Sequence, residues 1–225
     1  MARGGAVVAM ILADSRFPAG THAHSLGLEQ AVEDGLTLRA VPAFAAARLT
    51  LVAEADAALA VAARRGVAAH GSAAVDPLIE LHAARTPSHV LREQARRLGA
   101  QLLRSAEGVW PGDPIASCRA AGRAVPRPVA LGVVTAAAGL DDEETARVAL
   151  YDDAATVCSA ALKLLPVDPA DAARWLVELA APIAAAAARI AADRTAPASL
   201  RPPAAPALDI AASIHSAREE RLFAS

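Results

Sequence analysis

The chain is a succession of alanine- and leucine-rich stretches cut apart by proline and glycine, and that pattern leaves little choice of fold. Alanine and leucine lose little entropy in a helix. A β domain needs valine, isoleucine, threonine and aromatic side chains to pack across a pleated surface. Here hydrophobic residues are 55% of 225, yet the aromatics are only Trp 2, Tyr 1 and Phe 3. An all-β domain is therefore excluded. Disorder is excluded too, because the apolar content is high and the formal net charge is only −2. The same small charge speaks against a dedicated nucleic-acid binder, which carries a basic patch. Lys163 is the single lysine among 22 basic residues, which reads as an arginine-favouring coding background before it reads as ligand chemistry.

Cys118 and Cys158 make neither a disulfide framework nor a zinc cluster, so a reducing compartment is the simplest reading. The longest uncharged stretch after an arginine, Pro128 to Leu140, is shorter than the ~20 residues of a membrane span and runs into Asp141-Asp142-Glu143-Glu144. Leu179 to Ala188 is shorter still and contains Pro182. Arg3 ahead of Ala6 to Ala13 faintly mimics a signal peptide, but the run ends at Asp14 without a small-x-small cleavage site. A cytoplasmic protein is expected.

The punctuation predicts the helices. Residues 5–13 form a short apolar helix or turn. Ser25 caps a helix that stops at Gly35, and Val41 to Arg64 is a long helix with Pro42 in its first turn. Gly66 to Asp76 reads as a flexible link, and Pro77 to Arg85 as a short helix. Thr86-Pro87 reads as cap and first residue of a helix reaching about Val109, and residues 115–128 as the least regular part. Val129 to Ala138, apolar on every side, reads as a buried helix. Asp141 with Glu144 resembles a capping box opening a helix to Leu164. Asp168-Pro169 starts another, kinked at Pro182, that reaches Ala192. The sum is an all-α, single-domain helical bundle of about eight to nine helices. Residues 1–195 form its core, and residues 196–225 a proline-rich linker and C-terminal docking segment.

Few polar residues could carry chemistry. His22 and His24, spaced H-x-H on a loop, could hold a divalent metal, but a closed site needs about four ligands and no third histidine or cysteine stands nearby. The plainer reading is a loop whose His24 and Ser25 tie down the next helix. His70, His82 and His89 share no spacing, and Cys158 lies in an apolar helix where cysteine acts as a small hydrophobe. No G-x-S-x-G, phosphate loop or H-E-x-x-H occurs. The tail keeps Ile210, Ile214, Leu222 and Phe223 beyond its prolines, which suits a segment that docks on a partner. The proline stretch is expected to isolate that tail from the core.

These residues resemble a known family. Ser15, Pro18, Gly20, His24, Ser25, Gly27 and Glu29 match in register the N-terminal signature of the urease accessory protein UreF family, roughly S-x-x-P-x-G-x-x-x-H-S-x-G-x-E. Further matches follow in order: Arg96 to Leu103, Pro128 to Leu140, Tyr151 with Ser159-Ala160-Ala161 and Leu165-Pro166, then Asp209 to Ala211, His215 and Arg221 to Ser225. The resemblance implies a dimeric, all-α, non-enzymatic scaffold. It implies a bridge between a UreD/UreH-like accessory protein and the GTPase UreG for nickel insertion into apo-urease, with regulation of the GTPase. No cofactor would be tightly bound, nickel being handled transiently by the complex. The partner-binding residues it implies are His22, His24, Ser25, Glu29, His215, Arg221, Leu222 and Phe223, and His22, His24 and His215 are weak metal candidates. Thr21 and His22 stand where the family has glycine and an aromatic, and Ser216 follows His215 where the family continues with glutamate.

Two other readings compete. A metal-dependent enzyme would use His22, His24 and Asp14 or Glu29 around an ion with an open position. An all-α ligand-responsive regulator would need a basic recognition helix, and the first 40 residues hold only Arg3, Arg16 and Arg39.

Overall fold

The computed structural model describes residues 5–14, 16–19, 23–218 and 222–223. Every regular element among them is helical: α1 (Gly5–Ala13), α2 (Leu28–Glu33), α3 (Val41–Arg48), α4 (Glu54–His70), α5 (Val75–Arg85), α6 (His89–Glu107), α7 (Asp113–Ala120), α8 (Arg127–Ala137), α9 (Asp142–Leu164), α10 (Pro169–Ala192) and α11 (Pro206–Ser216). A π turn, Leu49–Ala53, joins α3 and α4 into one rod. With that rod counted once and the six-residue α2 set aside, the described bundle has nine helices.

The rod runs between two layers of core. On one side Leu59, Ala60 and Ala63 of α4 meet Val129, Val133 and Val134 of α8, with Leu102 and Leu103 of α6 behind them. On the other, Ala57 and Val61 meet Leu150 and Val157 of α9, backed by Leu179 and Ile183 of α10. Helix α8 is buried from Pro128 through Thr135, as its all-round apolar sequence predicts. Two glycines let the helices close on it. A Cβ on Gly132 would lie 2.5 Å from the Cβ of Ala63 and 2.8 Å from the amide nitrogen of Arg64, and closer still to the carbonyl oxygen of Ala60. A Cβ on Gly99 would run into the backbone of Val125, Pro126 and Arg127.

Several boundaries differ from the sequence expectation. Residues 66–76 are not a flexible link. Helix α4 continues to His70, and a 3-10 turn, Gly71–Ala74, leads straight into α5. Gly66 is there for closeness, since a Cβ would sit 2.9 Å from that of Ala74. Residues 115–128 include most of α7, whose Ile115 and Cys118 are buried. The cap of α6 is Ser88, whose Oγ accepts from the Leu91 amide (3.3 Å), rather than Thr86. The capping box of Asp141 and Glu144 is present in full. Beside it, Asp142 gathers Arg64 (2.5 Å), Arg65 (2.8 Å) and Arg194 (3.2 Å). Burial pushes the Asp142 carboxyl up, but those guanidinium contacts outweigh it and hold the carboxyl below its usual range.

Helix α10 is the one described helix long and apolar enough to cross a membrane. Its Ala172, Leu179, Ile183, Ala186, Ala187 and Ile190 recur at three, four and seven residues and are buried. Five of them join the α4–α9 core, and the opposite face includes Arg174, Glu178 and Arg189. That is the pattern of an amphipathic core helix.

Candidate functional site

The loop before α2 turns sharply. Leu26 (φ 54) and Gly27 (φ 90) both take left-handed backbone, a conformation that costs any residue with a Cβ roughly 1 kcal/mol. Gly27 has a second reason, because a Cβ there would press to 3.0 Å on the Leu208 side chain of α11. Ser25 is fully buried beneath the turn. Its carbonyl accepts from Leu28 (3.1 Å) and its Oγ from the Glu29 amide (3.3 Å). The turn thus seats Leu28 in the core and aims the Glu29 side chain out of the first turn of α2.

The Glu29 carboxylate ties the two ends of the chain together. Oε2 pairs with His215 Nε2 at 2.7 Å and accepts from the Phe223 amide at 3.1 Å, and Oε1 accepts from the Leu222 amide at 2.7 Å. Burial pushes this carboxyl up. The Leu222 amide, the His215 ring and the Phe223 amide together outweigh burial, and the net shift is downward. His215 and Phe223 are buried at 3% and 4% exposure, and Phe223 belongs to the core layer around α9. Lys163 stands over the Phe223 ring at 5.1 Å, within cation–π reach. Leu222 is 62% exposed, and Ile210 and Ile214 on α11 also face outward.

The residues singled out from sequence therefore divide. Glu29, His215, Leu222 and Phe223 form one cluster, and Ser25 supports it from below. His24 lies apart from the cluster, its Nδ1 3.0 Å from Gln94 Nε2. Burial, with the Arg127 charge behind it, lowers the His24 pKa to about 4, so the ring is neutral at pH 7. His22 and Arg221 lie outside the described residues. The proline stretch does not isolate the tail: the Ala204 amide donates to the Leu51 carbonyl (2.9 Å), Arg201 donates to that of Thr50 (3.2 Å), and Glu29 holds the far end. Thr50 and Leu51 belong to the π turn, a widened backbone common at functional positions. Lys163, noted in the sequence only as the single lysine, was not read there as a site residue. Among the described residues no three His, Cys, Asp or Glu side chains gather around a possible ion.

The family model named UreF matches residues 37–180. The chain is 38% identical to the urease accessory protein UreF of Mycobacterium sp. (strain JLS) over 221 residues, 96% of this chain and 97% of that protein. It is 37% identical to the protein of the same name from Mycobacterium marinum (strain ATCC BAA-535 / M), again over 96% and 97%. The one from Mycobacterium tuberculosis (strain ATCC 25177 / H37Ra) is 33% identical over 97% of this chain and 98% of its own length.

Proposed function

Because the chain belongs to the UreF family of urease accessory proteins, we propose that it is a non-enzymatic scaffold of urease maturation. In this reading it bridges a UreD/UreH-like protein and the GTPase UreG while nickel is inserted into apo-urease, and it regulates the GTPase. It works in the cytoplasm as a homodimer, with nickel handled transiently by the whole complex and no cofactor of its own. The accessory role rests on the family and on the names its relatives carry.

One observation carries the partner-facing half of the proposal. Glu29 fastens the tail to the N-terminal loop so that two backbone amides and an imidazole are consumed inward, while Leu222, Ile210 and Ile214 are left facing out. Apolar side chains on a polar-anchored segment are the composition of a docking surface.

The test is co-purification of the UreD/UreH-like protein and the GTPase with Leu222→Asp and Ile214→Asp, together with urease activation in cells. Both side chains are exposed, so the fold is expected to survive, as read by circular dichroism. Loss of the GTPase from the complex is the expected result. Full recruitment and full activation by the double variant would overturn the docking role of this face.

A further inference from the structure

Beneath the strap formed by Pro202 to Ala212 lies a cavity of about 540 Å³, walled by α4, α6, α8 and α9. That volume suits a small-molecule ligand. Its walls are mostly apolar, with Val52, Leu91, Leu98, Leu131 and Leu208 among them. The strap spans this space instead of filling it, which is why α11 has only His215 buried.

The polar lining is built from two ion pairs and one carboxyl outside them. Arg48 is fully used: Nε and Nη2 hold Asp153 (3.1 and 2.9 Å) and Nη1 reaches the Leu26 carbonyl at 3.3 Å. Arg127 is half used. Nη2 holds Asp152 at 2.5 Å, while Nη1 is buried with no hydrogen-bond partner. Asp56 lies in the field of Arg48, Arg127 and Asp153, with no hydrogen bond among the interactions that set its acidity. Burial pushes its carboxyl up to about 7. His82, also lining the cavity, is kept neutral by burial and by Arg96 and Arg92, with a pKa of about 4.

A buried donor left unmade is costly, and a ligand that takes it up gains accordingly. The lining defines what such a ligand carries. An acceptor must meet Arg127 Nη1. A donor must meet Asp56. A full charge is disfavoured, because both arginines are already paired and an ion entering a largely apolar space loses its hydration. An anion would also face Asp56, and an ammonium would leave Arg127 unmatched. We propose that this cavity binds a free, small, neutral carboxamide on a short apolar chain, its carbonyl on Arg127 Nη1, its amide N–H on Asp56 and its chain among Leu91, Leu98 and Leu131. Entry requires the strap to lift from the π turn, where two hydrogen bonds, from Arg201 and the Ala204 amide, hold it.

Calorimetric titration of the full-length chain with hexanamide, hexanoate and hexylamine tests the head group at constant chain length. Hexanamide is expected to bind, and the two ions about tenfold or more weaker, because a site built to hydrogen-bond one head group rejects its mismatches. Asp56→Leu removes the acceptor. Ala212→Trp, placed on the strap, fills the cavity without altering any residue of α4, α8 or α9. Both should abolish the hexanamide heat while circular dichroism stays unchanged. If Asp56→Leu fails to fold, Ala212→Trp still decides. No heat with hexanamide, equal binding of all three head groups, or binding that survives Ala212→Trp overturns the proposal.

Discussion

The seam between α4 and α8 and the strap that ends at Glu29 are held by opposite means. At the seam, two backbones approach until Gly132 has no room for a methyl group, and the stabilisation is dispersion and area removed from water. Across the strap, Phe223 alone of the described tail residues joins the core, and the other anchors are a carboxylate, an imidazole and a few backbone amides. The first kind of contact is non-directional, insensitive to pH and lost only with the whole fold. The second is directional, titrates, and opens locally at much lower cost. Under the proposed scaffold role, a chain that presents a face to partners has reason to keep the two apart.

The largest effect should come from the seam. Gly132→Val forces side-chain atoms into Ala60, Ala63 and Arg64, and is expected to cost on the order of 3 kcal/mol in urea unfolding. Hydrogen exchange should then rise together over α4, α6 and α8. A loss confined to one helix would mean the seam is not the cooperative unit.

Asp56 comes next. Its folded pKa of about 7 lies above its ordinary value of 3.8, so the fold favours the protonated form. Stability therefore falls as pH rises from about 4 to 7 and is flat above. Asp56→Asn removes that dependence. It should raise stability at pH 8 by on the order of 2 kcal/mol and by almost nothing near pH 4. Equal gains at both pH values would assign the effect to packing instead.

Glu29→Gln should act on the strap alone. Amide exchange across α11 and at Leu222 and Phe223 should quicken by the equivalent of about 1.5 kcal/mol, with α8 unmoved. In the unaltered chain the Glu29 carboxyl sits below its usual value. The contribution of the latch is thus present above about 4.5 and lost as pH falls through its folded value, so the strap should loosen in acid before the core does. Simultaneous loosening of strap and core would erase the contrast. The smallest effect belongs to Arg97→Ala, which breaks an exposed i,i+4 pair with Glu93 at 3.0 Å. Its thermal unfolding should shift by less than about 0.5 kcal/mol.

Within the seam much was legible from sequence. The Asp141–Glu144 capping box lies inside four residues, and α8 announces its burial by being apolar all round. Gly66 misled, because a glycine that permits close packing and one that breaks a helix are written with the same letter. The strap was half legible. The resemblance marked Glu29, His215, Leu222 and Phe223 one by one, but nothing local says that one carboxylate serves three of them across 186 to 194 residues of chain. Asp56 and the unmatched Arg127 nitrogen drew no attention, and Lys163 only as a mark of coding background, since a lone charge on an alanine-rich helix looks the same in sequence whether it faces solvent or a cavity.

What the amino-acid order determined alone is the helical content, most helix ends and the apolar faces, because these rest on propensity, caps and side-chain pairs three or four residues apart. Tertiary structure decided which helices meet, which glycines are contacts, and where the tail goes. It also decided that Arg127 and Asp56 end beside one cavity with hydrogen-bonding capacity to spare. Those outcomes depend on distances between residues far apart in the chain and on the burial that sets what each charge costs.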